Sequence, residues 1–434
     1  MIKTEQLNEI QKTEHPNQDI FLQRIPEEVY TEMVTNFSKD YQFSNGEENG
    51  GNMRIANYFV GISRKLANDF VSFIREMQHK LTEGRFPQHQ LPPGFKPVPR
   101  NLLAQEKNGN GFSFGSFDLA VSDIGLHNIE FQAVATYPIS AARLNRFLAQ
   151  KIENPDISIF ADSASTTWEE FKKIYQRILG GRHQEEVYLT DINLHSQKTN
   201  FEFFATQKEL DISVKLADRN DIFESENRLY HQTPGSSSPS SIHRLYNRIL
   251  LSDAIFDQHY PVDEESWKFR FDCRYDHLKF INHPSKQFDI SKRLSPYIKH
   301  PFNPPCFELT EVLPLFEKGV LEYKDFVWKH KWGAAGKGLF LSPSPATATE
   351  LQGITHQYIA QKKIAYTTFK TDDGQEKIIE LRFMTAHHQD QCIIVPMARI
   401  GHVVRTTDGS VFYKIHFADN NQKGYGFSPV LIFE

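Results

Sequence analysis

The segment Val327-Trp-Lys-His-Lys-Trp-Gly-Ala-Ala-Gly-Lys-Gly-Leu339 constrains the fold of this chain more than any other, because closely spaced glycines interrupt a strand-like run. It reads as a strand carrying a lysine, then a glycine-rich turn, then a second strand. Gly333, Gly336 and Gly338 let backbone N–H groups approach an anion, and Lys329 and Lys331 supply positive charge beside them. The pattern differs from the phosphate loop that joins a strand to a helix. Lys337 is followed by Gly338 and not by Ser or Thr, and Leu339-Phe-Leu341 continues as a strand. Phosphate binding is one reading of these residues; a Gly-rich hairpin with two exposed lysines is the other.

At 434 residues the chain suggests roughly two or three domains. Thirty-five phenylalanines and sixteen tyrosines supply enough bulky apolar surface for a large core. With 49 basic against 54 acidic residues, the formal charge of -5 offers no general attraction for nucleic acid or an anionic membrane, so a phosphate ligand has to be bound locally. Cys273, Cys306 and Cys392 lie far apart and form no C-x-x-C pair or metal-finger spacing, which fits a reducing cytoplasm. The first thirty residues are polar and charged with no apolar signal region, and no apolar run is long enough to span a bilayer. The expectation is a soluble, cytoplasmic protein with neither nucleic-acid nor membrane partners.

Along the chain, the first fifty residues read as irregular and end in the turn-rich Asn45-Gly-Glu-Glu-Asn-Gly-Gly51. The recurrence of Phe59, Ile62, Leu66, Phe70, Phe73 and Ile74 predicts one helix running from Asn52 to a stop at Gly84. The Pro-rich piece from Phe86 to Pro99 is a connector. Two apolar segments, 112–120 and 127–134, flank Ser122-Asp-Ile-Gly125 and predict a β-hairpin. Helices are predicted at about 139–151 and 166–179. A strand over 186–191, a helix over 200–210 and a strand over 213–217 predict an α/β unit with a parallel sheet. Residues 234–241 read as a surface loop, and helical pieces at about 289–299 and 311–318 precede a strand-rich final third.

On the hairpin, Asp118 ends the first strand, Glu130 lies in the second, and Gln132 shares the face of Glu130. Two carboxylates and an amide carbonyl on one face suit Mg2+, a hard ion that binds through one or two carboxylates plus nucleotide phosphates. A half-exposed strand face with ordinary polar residues fits the same pattern. His387-His388 shows no ligand pattern, Cys392 beside Ile393-Ile-Val395 reads as a buried inert thiol, and Lys362-Lys363 reads as a solvated strand edge.

Taken together, these motifs resemble the circularly permuted branch of the ATP-grasp superfamily, which includes the synthetase domain of glutathionylspermidine synthase. Gly115-Ser-Phe-Asp118 followed by Ile129-Glu-Phe-Gln-Ala133 is similar to the family's Asp and E-F-N-A pattern. The strand–helix–strand unit and Ser241-Ile-His-Arg-Leu-Tyr-Asn-Arg-Ile-Leu250 resemble its α/β unit and the basic, aromatic element after it. Ser291-Lys-Arg-Leu294 resembles the stretch with the first nucleotide lysine, and Lys329 with Gly333, Gly336 and Gly338 the second lysine and glycine loop. Tyr358-Ile-Ala-Gln361 resembles the strand leading to the adenine hinge, Glu380-Leu-Arg382 the acidic-Leu-Arg element, and Val395-Pro-Met-Ala-Arg399 the later arginine strand. Their order over residues 115–434 carries the resemblance. Two positions depart from it: Ser116 stands where a basic residue is common, and Gln132 where Asn is usual.

The resemblance implies a fold of mixed α/β (α+β) class, a permuted ATP-grasp fold with a small α/β domain. Its division is 1–110, an N-terminal helical segment; 111–184, the metal-ligand hairpin and helices; 185–283, the small α/β domain; and 284–434, the nucleotide-binding region. It implies ATP and Mg2+ as cofactors, held by Lys292, Lys329, Gly333, Gly336, Gly338 and Gln361 for the nucleotide and by Asp118, Glu130 and Gln132 for the metal. Arg382 and Arg399 are the implied catalytic residues, stabilising charge on the transferring phosphoryl group or the acyl intermediate. The implied activity is ligation of a small-molecule or peptide carboxylate to an amine through an acyl phosphate. An ATP-grasp phosphotransferase and a non-catalytic nucleotide-binding protein are the alternatives.

Overall fold

The computed structural model describes residues 19–41, 54–84, 86–87, 113–133, 137–152, 160–161, 164–165, 167–197, 199–251, 275–284, 286–334, 336–388, 391–405, 411–415 and 424–433. The turn-rich 45–51, most of the Pro-rich connector and Cys273 lie outside them. The fold is mixed α/β with several sheets. An eleven-stranded sheet forms its centre, with the strands Ile20–Arg24, Tyr58–Ser63, Gly426–Phe433, Gln391–Arg405, Glu376–His388, Phe114–Ser122 and Gly125–Gln132 side by side in that order. Along this path only Tyr58–Ser63 and Gly426–Phe433 run parallel.

Both faces of this sheet are covered, so its middle strands are buried throughout and show no simple alternation of exposure. Phe117, Leu119, Leu381 and Phe383 face Phe70, Phe73 and Ile74 of the helix Arg64–Thr82. The Phe70 ring stands edge-on to Phe383 at 4.9 Å, and each such buried Phe contributes about 1.5–3 kcal/mol of transfer free energy. On the opposite face, Phe114, Met384 and Met397 pack with Tyr137, with Leu144 and Leu148 of the helix Pro138–Lys151, and with Tyr175 of the helix Trp168–Gly180.

The region after Asn52 corrects the sequence expectation. Phe59 and Ile62 belong to the strand Tyr58–Ser63, and the helix starts only at Arg64, with the Ser63 hydroxyl accepting from the Leu66 amide at 3.2 Å. An aromatic and β-branched run at the end of a helical period pairs with strands on both sides, a long-range gain that local periodicity does not register. Gly61 fits this packing, because a Cβ there would sit 2.1 Å from the Phe21 ring. The first fifty residues likewise contain the strand Ile20–Arg24 and the helix Glu27–Tyr41, whose Val29, Met33 and Phe37 recur every fourth residue into the core.

The expected α/β unit is present. Lys279–Ile281, Arg244–Asn247, Val187–Asp191 and Val214–Asp218 form an all-parallel sheet, and the helix Asn200–Glu209 joins the last two strands. A further four-stranded sheet is antiparallel, in the order Cys306–Glu308, Tyr358–Lys362, Phe326–His330, Leu339–Phe340. The helix Leu309–Glu317 covers it, with Phe316 edge-on to Trp328 at 5.5 Å. The helical stretch expected near 289–299 is a 3₁₀ helix, Lys292–Tyr297, shortened by Pro296. Among the described residues, no helix is long and apolar enough to cross a membrane.

Candidate functional site

The site is built where the outer hairpin of the central sheet meets the small antiparallel sheet. In the hairpin Ser116 faces Gln132 and Asp118 faces Glu130, so all four side chains share one face. The register then slips: Leu119 faces Asn128, and Ile129 is the extra residue of a β-bulge. A bulged residue loses its ladder partner and re-aims the backbone. Here the Ile129 carbonyl accepts from Lys329 Nζ at 2.7 Å, and the Asn128 amide donates to the Phe302 carbonyl at 2.6 Å. The bulge thus couples the hairpin edge to the small sheet.

Residues far apart in sequence converge on this edge. Lys329 Nζ also donates to Gln361 Oε1 at 2.7 Å from the adjacent strand. Lys292 Nζ pairs with Glu130 Oε1 at 2.8 Å and donates to the Gly333 carbonyl. Burial and the nearby Lys292 charge push the Lys329 ammonium down to about 8, against the pull of Glu130. Gly336 and Gly338 take left-handed backbone with φ of 81° and 65°, and a Cβ on Gly336 would meet no atom. The turn therefore selects glycine at Gly336 for its backbone conformation and not for space. The Gly333 amide donates to His330 at 3.3 Å, so Gly333 contributes its carbonyl here. Lys331, expected beside the anion, pairs instead with Glu308 at 2.7 Å.

One step along the same face lies a buried group of four charges. Asp118 faces Arg382 across the ladder, and Glu380 faces Arg399. Arg382 grips both Asp118 oxygens at 2.5 Å, and Arg399 donates to Asp118 at 2.7 Å and to Glu380. Arg382 reaches the Tyr137 hydroxyl at 2.5 Å, and the Tyr366 hydroxyl donates to Glu380 at 3.3 Å. Burial alone would lower the Arg382 pKa, but the Asp118 carboxylate raises it well above the ordinary value, so the guanidinium stays charged. Burial raises the Glu380 carboxyl, opposed by Arg399. Two cations and two anions balance, the condition under which charges persist away from water.

The donor set fits Mg2+ in part. Glu130 is half-buried and Gln132 follows it on the same face, with its amide nitrogen 3.4 Å from Ser116 Oγ and its carbonyl left as a metal donor. Both Asp118 oxygens already accept from guanidinium groups, so Asp118 can join a metal only through its remaining lone pairs. Among the described residues, no group of three or more His, Cys, Asp or Glu side chains is arranged to hold a metal. Tyr137 and Tyr366 escaped the sequence reading, because nothing in their neighbours signals a buried charge.

His387 and Cys392 lie 3.8 Å apart in the core, where burial pushes the imidazole down to about 3 and the thiol up to about 12. Neither is poised for chemistry at neutral pH. Lys362 pairs with Asp325 at 2.9 Å where both are partly exposed, but the expected strand edge is an inner strand: Tyr358–Lys362 lies between Cys306–Glu308 and Phe326–His330.

No protein-family model matches the chain, and no curated protein matches it in sequence.

Proposed function

We propose that this protein is an ATP- and Mg2+-dependent carboxylate–amine ligase on a circularly permuted ATP-grasp fold. The observation that carries the reading is the convergence of Lys292 and Lys329 on the Asn128–Glu130 edge from 162 and 200 residues away. Two lysines and a glycine turn facing a carboxylate strand across a sheet junction match a nucleotide site with its metal ligands opposite its phosphate ligands.

In this reading Lys292 and Lys329 exchange their protein acceptors for phosphate oxygens, and the glycine turn closes over them. Glu130 and Gln132 would hold Mg2+, which would supply charge neutralisation at the phosphate oxygens. A substrate carboxylate oxygen attacks that phosphorus and ADP leaves; the amine then attacks the acyl carbon, phosphate leaves, and the amine loses a proton. Arg382 and Arg399 gather positive potential under the reacting face, fixed in place by Asp118, Glu380 and Tyr137. Asp118 is thus chiefly an orienting group for the arginines.

The test is a panel of carboxylates and amines read by ADP release and by mass spectrometry of the coupled product. Turnover that needs both partners and yields an amide supports the ligase. ATP binding without turnover across the panel refutes it and favours a non-catalytic nucleotide-binding protein, a reading supported by Ser116 in place of a basic residue and by its contact with Gln132.

A further inference from the structure

A cleft of about 990 Å³ opens between the α/β unit and the far end of the central sheet, away from the hairpin edge. The last turns of the helix Trp168–Gly180 and the loop after it line one side with Lys173, Arg177 and Arg182. Arg244 and Lys279, the first residues of two parallel strands, line another. Five fixed cations therefore face one cavity, and none of its described lining residues is Asp or Glu. Glu185, outside the lining, offsets part of this charge by pairing with Arg244 at 3.2 Å.

Arg244 has a structural role, since it donates to the Ile178 and Leu179 carbonyls at the helix C-terminus. That role does not extend to Arg177 and Arg182, whose residues are exposed on the rim. Concentrating like charges in a chain of formal charge -5 costs Coulomb energy that a bound anion offsets. With the Arg244 nitrogens committed to the two carbonyls and to Glu185, the guanidinium groups of Arg177 and Arg182 remain on the rim, of the type that takes phosphate oxygens in a fork. A half-open cleft of this volume suits a small molecule better than nucleic acid, which takes an extended basic stripe, and small-molecule pockets span about 300–1,000 Å³. The cleft is offset from the nucleotide edge: its lining residue Ser113 precedes Ser116, the partner of Gln132, by three residues, about 10 Å at strand rise.

We propose that this cleft is a second anion site that binds a small molecule carrying at least two phosphate groups. The site bridges the α/β unit and the end of the strand Glu376–His388, so its occupant ties these two parts together. The proposal does not depend on the ligase reading.

Inorganic triphosphate titrated into the full chain with EDTA present, followed by calorimetry and thermal melting, tests it. Binding is expected, weakened at least about tenfold by Arg177→Gln/Arg182→Gln and left within about twofold by Lys329→Met. Circular dichroism confirms that the variants fold, and the exposed arginines carry little packing. Absence of binding, or binding that survives the double substitution and is lost in Lys329→Met, overturns the proposal.

Discussion

Removing the Asp118 carboxylate tests the buried charge group most directly. Asp118→Ala deletes two bonds from Arg382 at 2.5 Å and one from Arg399 at 2.7 Å. Arg399 keeps Glu380 and Arg382 keeps the Tyr137 hydroxyl, so two guanidinium groups are left facing one carboxylate. Leaving one charge buried without its partner costs about 3–5 kcal/mol. Removing the surplus cation as well, in Asp118→Leu/Arg382→Met, restores neutrality and fills the volume with apolar atoms. The double variant is therefore expected to recover at least about 2 kcal/mol relative to Asp118→Ala. Urea unfolding followed by tryptophan fluorescence reads both values. If Asp118→Ala lost less than about 1 kcal/mol, or the double variant were the less stable, the four charges would not form a desolvated, balanced unit.

Two further predictions address the nucleotide edge. Glu130→Gln keeps the size of the side chain but removes its charge, and is expected to lower Mg2+-dependent turnover by about 10²–10³-fold at a stability cost of about 1–3 kcal/mol from the lost pair with Lys292; wild-type turnover at limiting Mg2+ would exclude Glu130 as a ligand. For Lys329, the folded-state pKa lies near 8, below the ordinary 10.5, so the folded chain releases this proton first as pH rises. Stability gained from this group therefore increases between about 8 and 10.5, while ATP affinity falls over the same interval as the phosphate-facing charge is lost. Calorimetric ATP titrations across that range are expected to show a decline that Lys329→Met abolishes, and an unchanged profile in the variant would remove Lys329 from the site.

The hairpin around Asp118 and Glu130 was legible in the sequence because strand alternation and the turn at Ser122–Gly125 are local signals. So was the parallel α/β unit, where periodicity switches cleanly between strand and helix. The strand Tyr58–Ser63 was hidden, since its gain comes from non-local partners, one of them at the far end of the described chain. The grip of Arg382 on Asp118 depends on a register across 264 positions, and no spacing rule gives that register. The bulge at Ile129 was invisible for a different reason: Asn128 beside it reads as an ordinary polar residue of the strand, and the lysine that uses the Ile129 carbonyl comes from another sheet. Lys329 itself was readable as a charge beside glycines, but its burial was not.

The parallel pairing of Tyr58–Ser63 with Gly426–Phe433 sets a timetable for synthesis. Val60 meets Val430, and a buried hydroxyl at Ser428 reaches back 370 positions to the Tyr58 carbonyl. At about 5–20 residues per second, a ribosome needs on the order of 20–70 s to make that interval. Throughout it, one edge of Tyr58–Ser63 presents unpaired amides and carbonyls to other nascent chains. The central sheet closes only when Gly426–Phe433 emerges, so this strand edge stays open to wrong pairing for the whole of that interval.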